Sequence, residues 1–244
     1  MYRCSHQSLE LSPRSYHELP WTSRNFCYPC CIVGISYNRI AGQSVERLAA
    51  LSDGIFAVAM TLLLLELHVP ASELVQSEGD LRRALLALAP QLLIYLMSFL
   101  TLGIFWVGQQ TQLNHLEHSE RHFTWIHLAF LFLITLMPFS TRLLIEYMDF
   151  RTALLAYWAN ILLLGALLYA SWGRARQAAL IKADTPPEIP AAICRRILIA
   201  QSLYAVGALL CIYRTLLSIA FIVLVQLNYA IAPRLWTRRD SGDA

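Results

Sequence analysis

From residue 44 onward the chain is a succession of long apolar runs separated by short polar breaks. The first covers residues 44–69 and stops at Pro70, after which 72–80 is polar and acidic. The second, 84–108, is uncharged throughout and carries Pro90, while the third, 123–145, has Pro138 and Arg142 near its end. A clean fourth run covers 152–173, and 197–213 and 215–233 follow with only Arg214 between them. Each run suits a helix that crosses a bilayer in about 20 residues. A tight hairpin near Tyr213 is preferred over one helix far longer than the bilayer requires. Pro138 marks a kink or a helix end, and Pro90 is tolerable where neighbouring helices satisfy the freed carbonyl.

The first run contains a conflict. Arg47, Asp53 and Glu66 lie in or beside an otherwise apolar stretch. Asp53 and Glu66 are about 20 Å apart along a helix, against a hydrocarbon layer about 30 Å thick. At least one carboxylate therefore sits at or inside the membrane boundary. A charge there costs about 2.5–3.5 kcal/mol on insertion scales, so it faces a bundle interior or a watery cavity. This helix does not face lipid all round.

Composition agrees: 57% of residues are hydrophobic and only 14% charged, far from the balance of a soluble domain. The expected fold is an all-α integral membrane protein with six transmembrane helices, forming one domain over 44–236. Residues 1–43 read as a flexible extension and 237–244 as a tail. With six spans both ends lie on one side. Only Arg82, Arg83, Arg142, Arg151 and Arg214 oppose the remaining basic residues, so both termini are expected in the cytoplasm and the protein in the cell membrane.

The 18 Arg and single Lys form no basic stripe, which argues against nucleic acid as a partner. Cys27 and Cys30 have Cys-x-x-Cys spacing, but no second pair with metal-ligand spacing follows. No metal or cofactor is expected. Nor is an enzyme, because neither a phosphate loop, a His-Glu-x-x-His nor a Gly-x-Ser-x-Gly turn occurs.

Angular placement separates two faces of the first helix. With Val58 at zero and 100° per residue, Gly54 lies near about −40°, Thr61 −60°, Leu62 +40° and Leu65 −20°. Ser52 near about +120° and Asp53 near −140° point away from that stripe. Copies of the stripe meeting on an axis would enclose a narrow pore with rings of Val58, Thr61, Leu62 and Leu65. Such apolar constrictions gate by dewetting, and the Thr61 hydroxyls would lend an ion partial hydration. By periodicity alone, the same residues also fit ordinary packing.

The string Arg47-x-x-x-Leu51-Ser52-Asp53-Gly54-Ile55-Phe56-Ala57 resembles the Arg-x-x-x-Phe-Ser-Asp motif of the TMEM175 family of potassium channels. Phe105-Trp106, Pro138-Phe139-Ser140-Thr141 and Glu146-Tyr147 are further matches, and the resemblance covers about residues 44–175. It implies a homotetramer of six-span subunits, with the first helix lining a central pore and Val58 at its narrowest point. Arg47, Ser52, Asp53, Trp106 and Gln109 would organise the pore helix from behind. Asp53 is expected to accept hydrogen bonds from adjacent helices and to pair with Arg47, if at all, across helices or subunits. Potassium, alongside other monovalent cations, enters as the permeant ion, and without a Thr-Val-Gly-Tyr-Gly filter its preference must arise otherwise.

Two departures stand out. Leu51 replaces the family's Phe, and Gln109 and Gln110 stand where the family commonly has a His pair, which removes protonation there. His115, His118 and His122 read as solvated loop residues. The competing functions are a proton-coupled secondary transporter using Asp53 or Glu66, and a non-conducting membrane scaffold. Glu66 and His68 are placed near the outer mouth. The tryptophans, Trp106, Trp125, Trp158, Trp172 and Trp236, read mostly as interfacial anchors.

Overall fold

The computed structural model of the chain describes residues 44–67 and 75–231. The expectations for 1–43 with its cysteines, for His68, for Trp236 and for the tail 237–244 fall outside those residues.

The first helix, α1 (Val45–Leu65), begins where Ser44 supplies a side-chain oxygen to the Arg47 N–H. Such a cap satisfies one of the donors that every helix N-terminus leaves open. A separate short helix, α2 (Glu78–Ala87), is capped the same way by Ser77 on Asp80. The second span, α3 (Ala89–Asn114), follows it directly. It is thus displaced toward the C-terminus relative to 84–108. Pro90 sits in its first turn, where the missing N–H costs nothing, so Pro90 starts this helix and does not interrupt it.

The third span is broken. Helix α4 (Arg121–Thr135) ends at Leu136, whose N–H bonds Leu133 O in a tightened turn, and α5 (Met137–Glu146) restarts with Pro138 in its first turn. Together they have the length of one crossing. Helix α6 (Arg151–Gln177) ends in Arg174 and Arg176, cations that suit a helix C-terminus. Ala179, at φ 53°, turns the chain back, and Leu180 N–H bonds Ala175 O at 3.0 Å. The next residues pair with the α3–α4 loop: Glu117 N–H bonds Leu180 O and Lys182 N–H bonds His115 O. These two loops therefore lie at the same end of the bundle.

Helix α7 (Glu188–Leu209) passes through a 3-10 turn (Leu210–Ile212), Tyr213 and Arg214 into α8 (Thr215–Ile231). The two pack as a hairpin, with the Ser218 hydroxyl donating to Gly207 O. A Cβ at Gly207 would come within 2.6 Å of Ile222 Cγ1, a separation only glycine permits without movement. Among the described residues, five helical segments are long and apolar enough to cross a membrane, and α8 is a shorter apolar helix.

Helix α6 is the hub, packing along α4, α5 and α7. The main core joins Phe56 and Leu63 of α1 to Ile94, Met97, Leu131, Ile134, Leu154 and Ile161. A buried polar chain runs through it. Thr141 donates to Ser98, Ser98 to Tyr157, and Gln226 to Thr101 and Tyr204, linking α3, α5, α6, α7 and α8. In a low-dielectric interior each partner matters, because an unmatched hydroxyl or amide is costly there.

Candidate functional site: the first helix and its anchors

Helix α1 buries one face only. Leu48, Ser52, Phe56, Ala59 and Leu63, spaced three or four residues apart, are all buried. This pattern is the core-facing stripe of an amphipathic helix, except that both faces here are largely apolar. The remaining arc is uncovered in the protomer: Val58 is 57% exposed, Leu62 41% and Leu65 72%, and Gly54 and Thr61 are exposed as well. A shallow apolar groove of about 410 Å³ runs along this face, lined by Leu51, Gly54, Val58, Leu62 and Thr135. Thr61 spends its hydroxyl proton on Val58 O at 2.8 Å, leaving its oxygen lone pairs outward.

The anchors on the other side are divided between two helices. Ser52 is fully buried; its hydroxyl lies 2.7 Å from Leu48 O and 2.9 Å from His127 Nε2 on α4. A carbonyl only accepts, so the single hydroxyl proton goes to Leu48 O and the His127 Nε2–H donates to Ser52. The His127 ring stacks on Phe123 and leans on Phe130, which closes the pocket around the pair. Asp53 turns instead to α3. Its Oδ1 accepts from Trp106 Nε1 at 2.8 Å and from Gln110 Nε2 at 2.6 Å, at the edge of the uncovered arc.

Ser52 and Asp53 thus do not share one rear face. Adjacent residues on a helix differ by about 100°, so they reach different neighbours. Gln109 does not join the Asp53 cluster either. It is 1% exposed, and among the described residues neither of its amide atoms has a hydrogen-bond partner, because the same rotation that brings Gln110 to Asp53 turns Gln109 inward. Arg47 is exposed at the start of α1, and Asp53 takes its hydrogen bonds from α3, not from Arg47.

Glu66 caps the other end of α1 and pairs with Arg142 of α5 at 3.6 Å, tying the first and third spans together. Trp172, expected as an interfacial anchor, is fully buried and donates to Pro190 O. His127 and Gln110 are the anchoring residues that motif spacing passed over. His127 had one signal, a lone polar ring within an apolar run; Gln110 stands beside Gln109 at the family's His-pair position, but the motif reading puts Gln109 in the network in its stead.

A profile of the family described as "Endosomal/lysosomal potassium channel TMEM175" matches residues 47–138. A potassium channel of Chamaesiphon minutus is 30% identical over 189 residues, covering 76% of this chain and 93% of that protein. One of Streptomyces collinus is 35% identical over 102 residues, 42% of this chain and 48% of its own length. Among solved structures, a lysosomal potassium-selective channel TMEM175 homolog from Chamaesiphon minutus superposes with a TM-score of 0.67 at 28% identity. That match covers 76% of this chain and 96% of the other. The helical fold, its membrane-length segments and the half-covered first helix define a multi-pass membrane protein. With these relatives, the chain belongs to the TMEM175 family, a family of ion channels and not of enzymes.

Proposed function

We propose that this chain is a potassium-permeable cation channel, built as a homotetramer of six-span subunits in the cell membrane with both termini cytoplasmic. Helix α8 supplies the sixth span, and α1 lines the central pore. Val58 forms the constriction and Thr61, Leu62 and Leu65 the layers beyond it; Ser52, Asp53, Trp106 and Gln110 fix the rotation of the helix, with Arg47 and the buried Gln109 in the surround. Potassium is the permeant ion, and no cofactor takes part.

One observation carries the reading: the face of α1 that holds Val58 is bare in the protomer, while the opposite face is packed and hydrogen-bonded. A membrane helix gains little by exposing a chosen apolar face to lipid, yet α1 is pinned by a buried serine and a carboxylate that fix its rotation. Such pinning has a use if the exposed side chains must meet symmetry mates at a defined radius. The bacterial relatives described as potassium channels, and the solved homologue described as potassium-selective, point to the ion.

The test is ion flux through purified protein in liposomes, potassium against sodium, for wild type, Val58→Ala and Val58→Phe. The expected result is passive flux that rises or loses selectivity with Ala and falls with Phe. Flux indifferent to both substitutions would remove Val58 from the pore. Saturable, coupled flux would mean a transporter, and no flux a scaffold.

A further inference from the structure

We propose that the groove between the end of α6 and the first half of α7 is a binding site for an anionic phospholipid, its phosphate held by Arg176 and Arg195. The connection between the two helices brings them side by side, so the last turn of α6 stands near the first turns of α7. Their shared surface is a groove of about 560 Å³, lined by Tyr169 and Arg176 of α6 and by Cys194, Arg195, Leu198 and Leu203 of α7. The two arginines share its loop-side part. Arg176 Nη1 donates to Cys194 Sγ at 3.8 Å, and Cys194 is the chain neighbour of Arg195.

The charges stand at the right depth. Arg176 follows the apolar run 152–173 and Arg195 precedes the run 197–213, so both sit where spans meet the interface. Beyond them the lining is largely apolar. From Arg195 to Leu203, α7 rises about 12 Å, close to one leaflet of a hydrocarbon layer about 30 Å thick. A phospholipid has the same order of parts, a charged head and then an acyl chain along the helices.

The sign of the head follows from the lining. No carboxylate borders the groove, and among the described residues neither Arg176 nor Arg195 is in an ion pair, while the nearby Glu120 is held by Arg174. A thiol sulfur is a weak acceptor, so Arg176 keeps its fork for a stronger one. Two guanidinium forks grip a phosphate through charge-assisted hydrogen bonds, with their stems along apolar surface. Basic pockets between spans hold anionic headgroups in this way.

A second copy of the chain is a poorer occupant. Helix α7 packs along α6 and α8 and makes no extended contact with α1, whose bare face is the one turned to other subunits in the channel reading. That comparison rests on the channel reading; the lipid site itself does not.

The experiment is native mass spectrometry of the purified full chain titrated with phosphatidylglycerol or phosphatidylcholine. Wild type should retain phosphatidylglycerol about tenfold better. The double variant Arg176→Gln/Arg195→Gln should lose that preference, and Arg82→Gln, the same loss of charge on α2 at the other end of the bundle, should keep it. Glycerol phosphate, a headgroup without chains, should not displace the lipid. In wild type, phosphatidylglycerol but not phosphatidylcholine should slow maleimide labelling of Cys194, read by peptide mapping, which decides the matter even if the double variant fails to fold. A preference that survives the double variant, an equal loss in Arg82→Gln, or Cys194 labelling indifferent to the lipid overturns the site. Displacement by glycerol phosphate overturns the lipid as occupant, and a changed subunit number in the double variant gives the groove to a second copy. The readout is binding, so it stands or falls separately from conduction.

Discussion

Trp106 Nε1 and Asp53 Oδ1 lie 2.8 Å apart and lock α3 to α1 at the border between the packed and uncovered faces of the first helix. Gln110, one turn further along α3, donates to the same oxygen. Two neutral donors on one carboxylate make charge-assisted bonds, about twice as strong as neutral ones. Trp106→Phe keeps an aromatic ring, though a smaller one, and removes one donor. It should lower stability by about 2 kcal/mol, seen as a lower melting temperature in detergent. An unchanged melt would mean that the bond does not hold α1 in place.

The neighbouring glutamines should behave in opposite ways. Gln110→Leu strips Asp53 of its second donor and should destabilise. Gln109→Met replaces a buried amide that has no partner by an apolar side chain of similar size. An unmatched buried polar group costs about 1–3 kcal/mol, so this variant should melt higher. Thermal melts of the pair decide it, and a lower melting temperature for Gln109→Met would show that its amide finds a partner between subunits.

A third test concerns Ser52 and His127. Ser52→Ala leaves the imidazole N–H buried against Phe123 and Phe130 with its acceptor gone. The loss should be about 1–3 kcal/mol. Ser52→Thr keeps the acceptor and should recover most of it if the added methyl fits beside Leu48. Equal melting of Ala and wild type would assign Ser52 to helix packing alone.

The sequence spoke clearly about long-range order and poorly about local rotation. Apolar runs separated by polar breaks located the membrane segments, because the bilayer imposes one length on every crossing. The prolines were harder to place: Pro90 and Pro138 stand in apolar runs that hydropathy averages into single spans, and only the hydrogen-bonding of Leu88 and Leu92 around the one, and of Leu136 and Ser140 around the other, shows where each helix starts. On α1, angular arithmetic found the uncovered stripe of Val58, Thr61, Leu62 and Leu65. It could not divide Ser52 from Asp53, nor choose Gln110 over Gln109, since those choices depend on where α3 and α4 stand around α1. His127 escaped for the same reason: a lone histidine has no periodicity.

Thr61 offers the sharpest separation of conduction from folding. Among the described residues its hydroxyl bonds only Val58 O on its own helix, and it otherwise faces the uncovered arc. Thr61→Val is nearly isosteric and frees a carbonyl that lies on an α-helix and already accepts the ordinary backbone bond, so melting should move by less than about 1 kcal/mol. If α1 lines the pore, however, a ring of oxygen lone pairs next to the Val58 constriction becomes a ring of methyls. An ion leaving the constriction then loses partial hydration, and a lost contact of about 1.4 kcal/mol at the barrier is a tenfold fall in rate. Potassium flux in liposomes should therefore drop about tenfold in Thr61→Val while Thr61→Ser keeps most of it. A Val variant that melts like wild type and conducts like wild type would turn Thr61 away from the ion path.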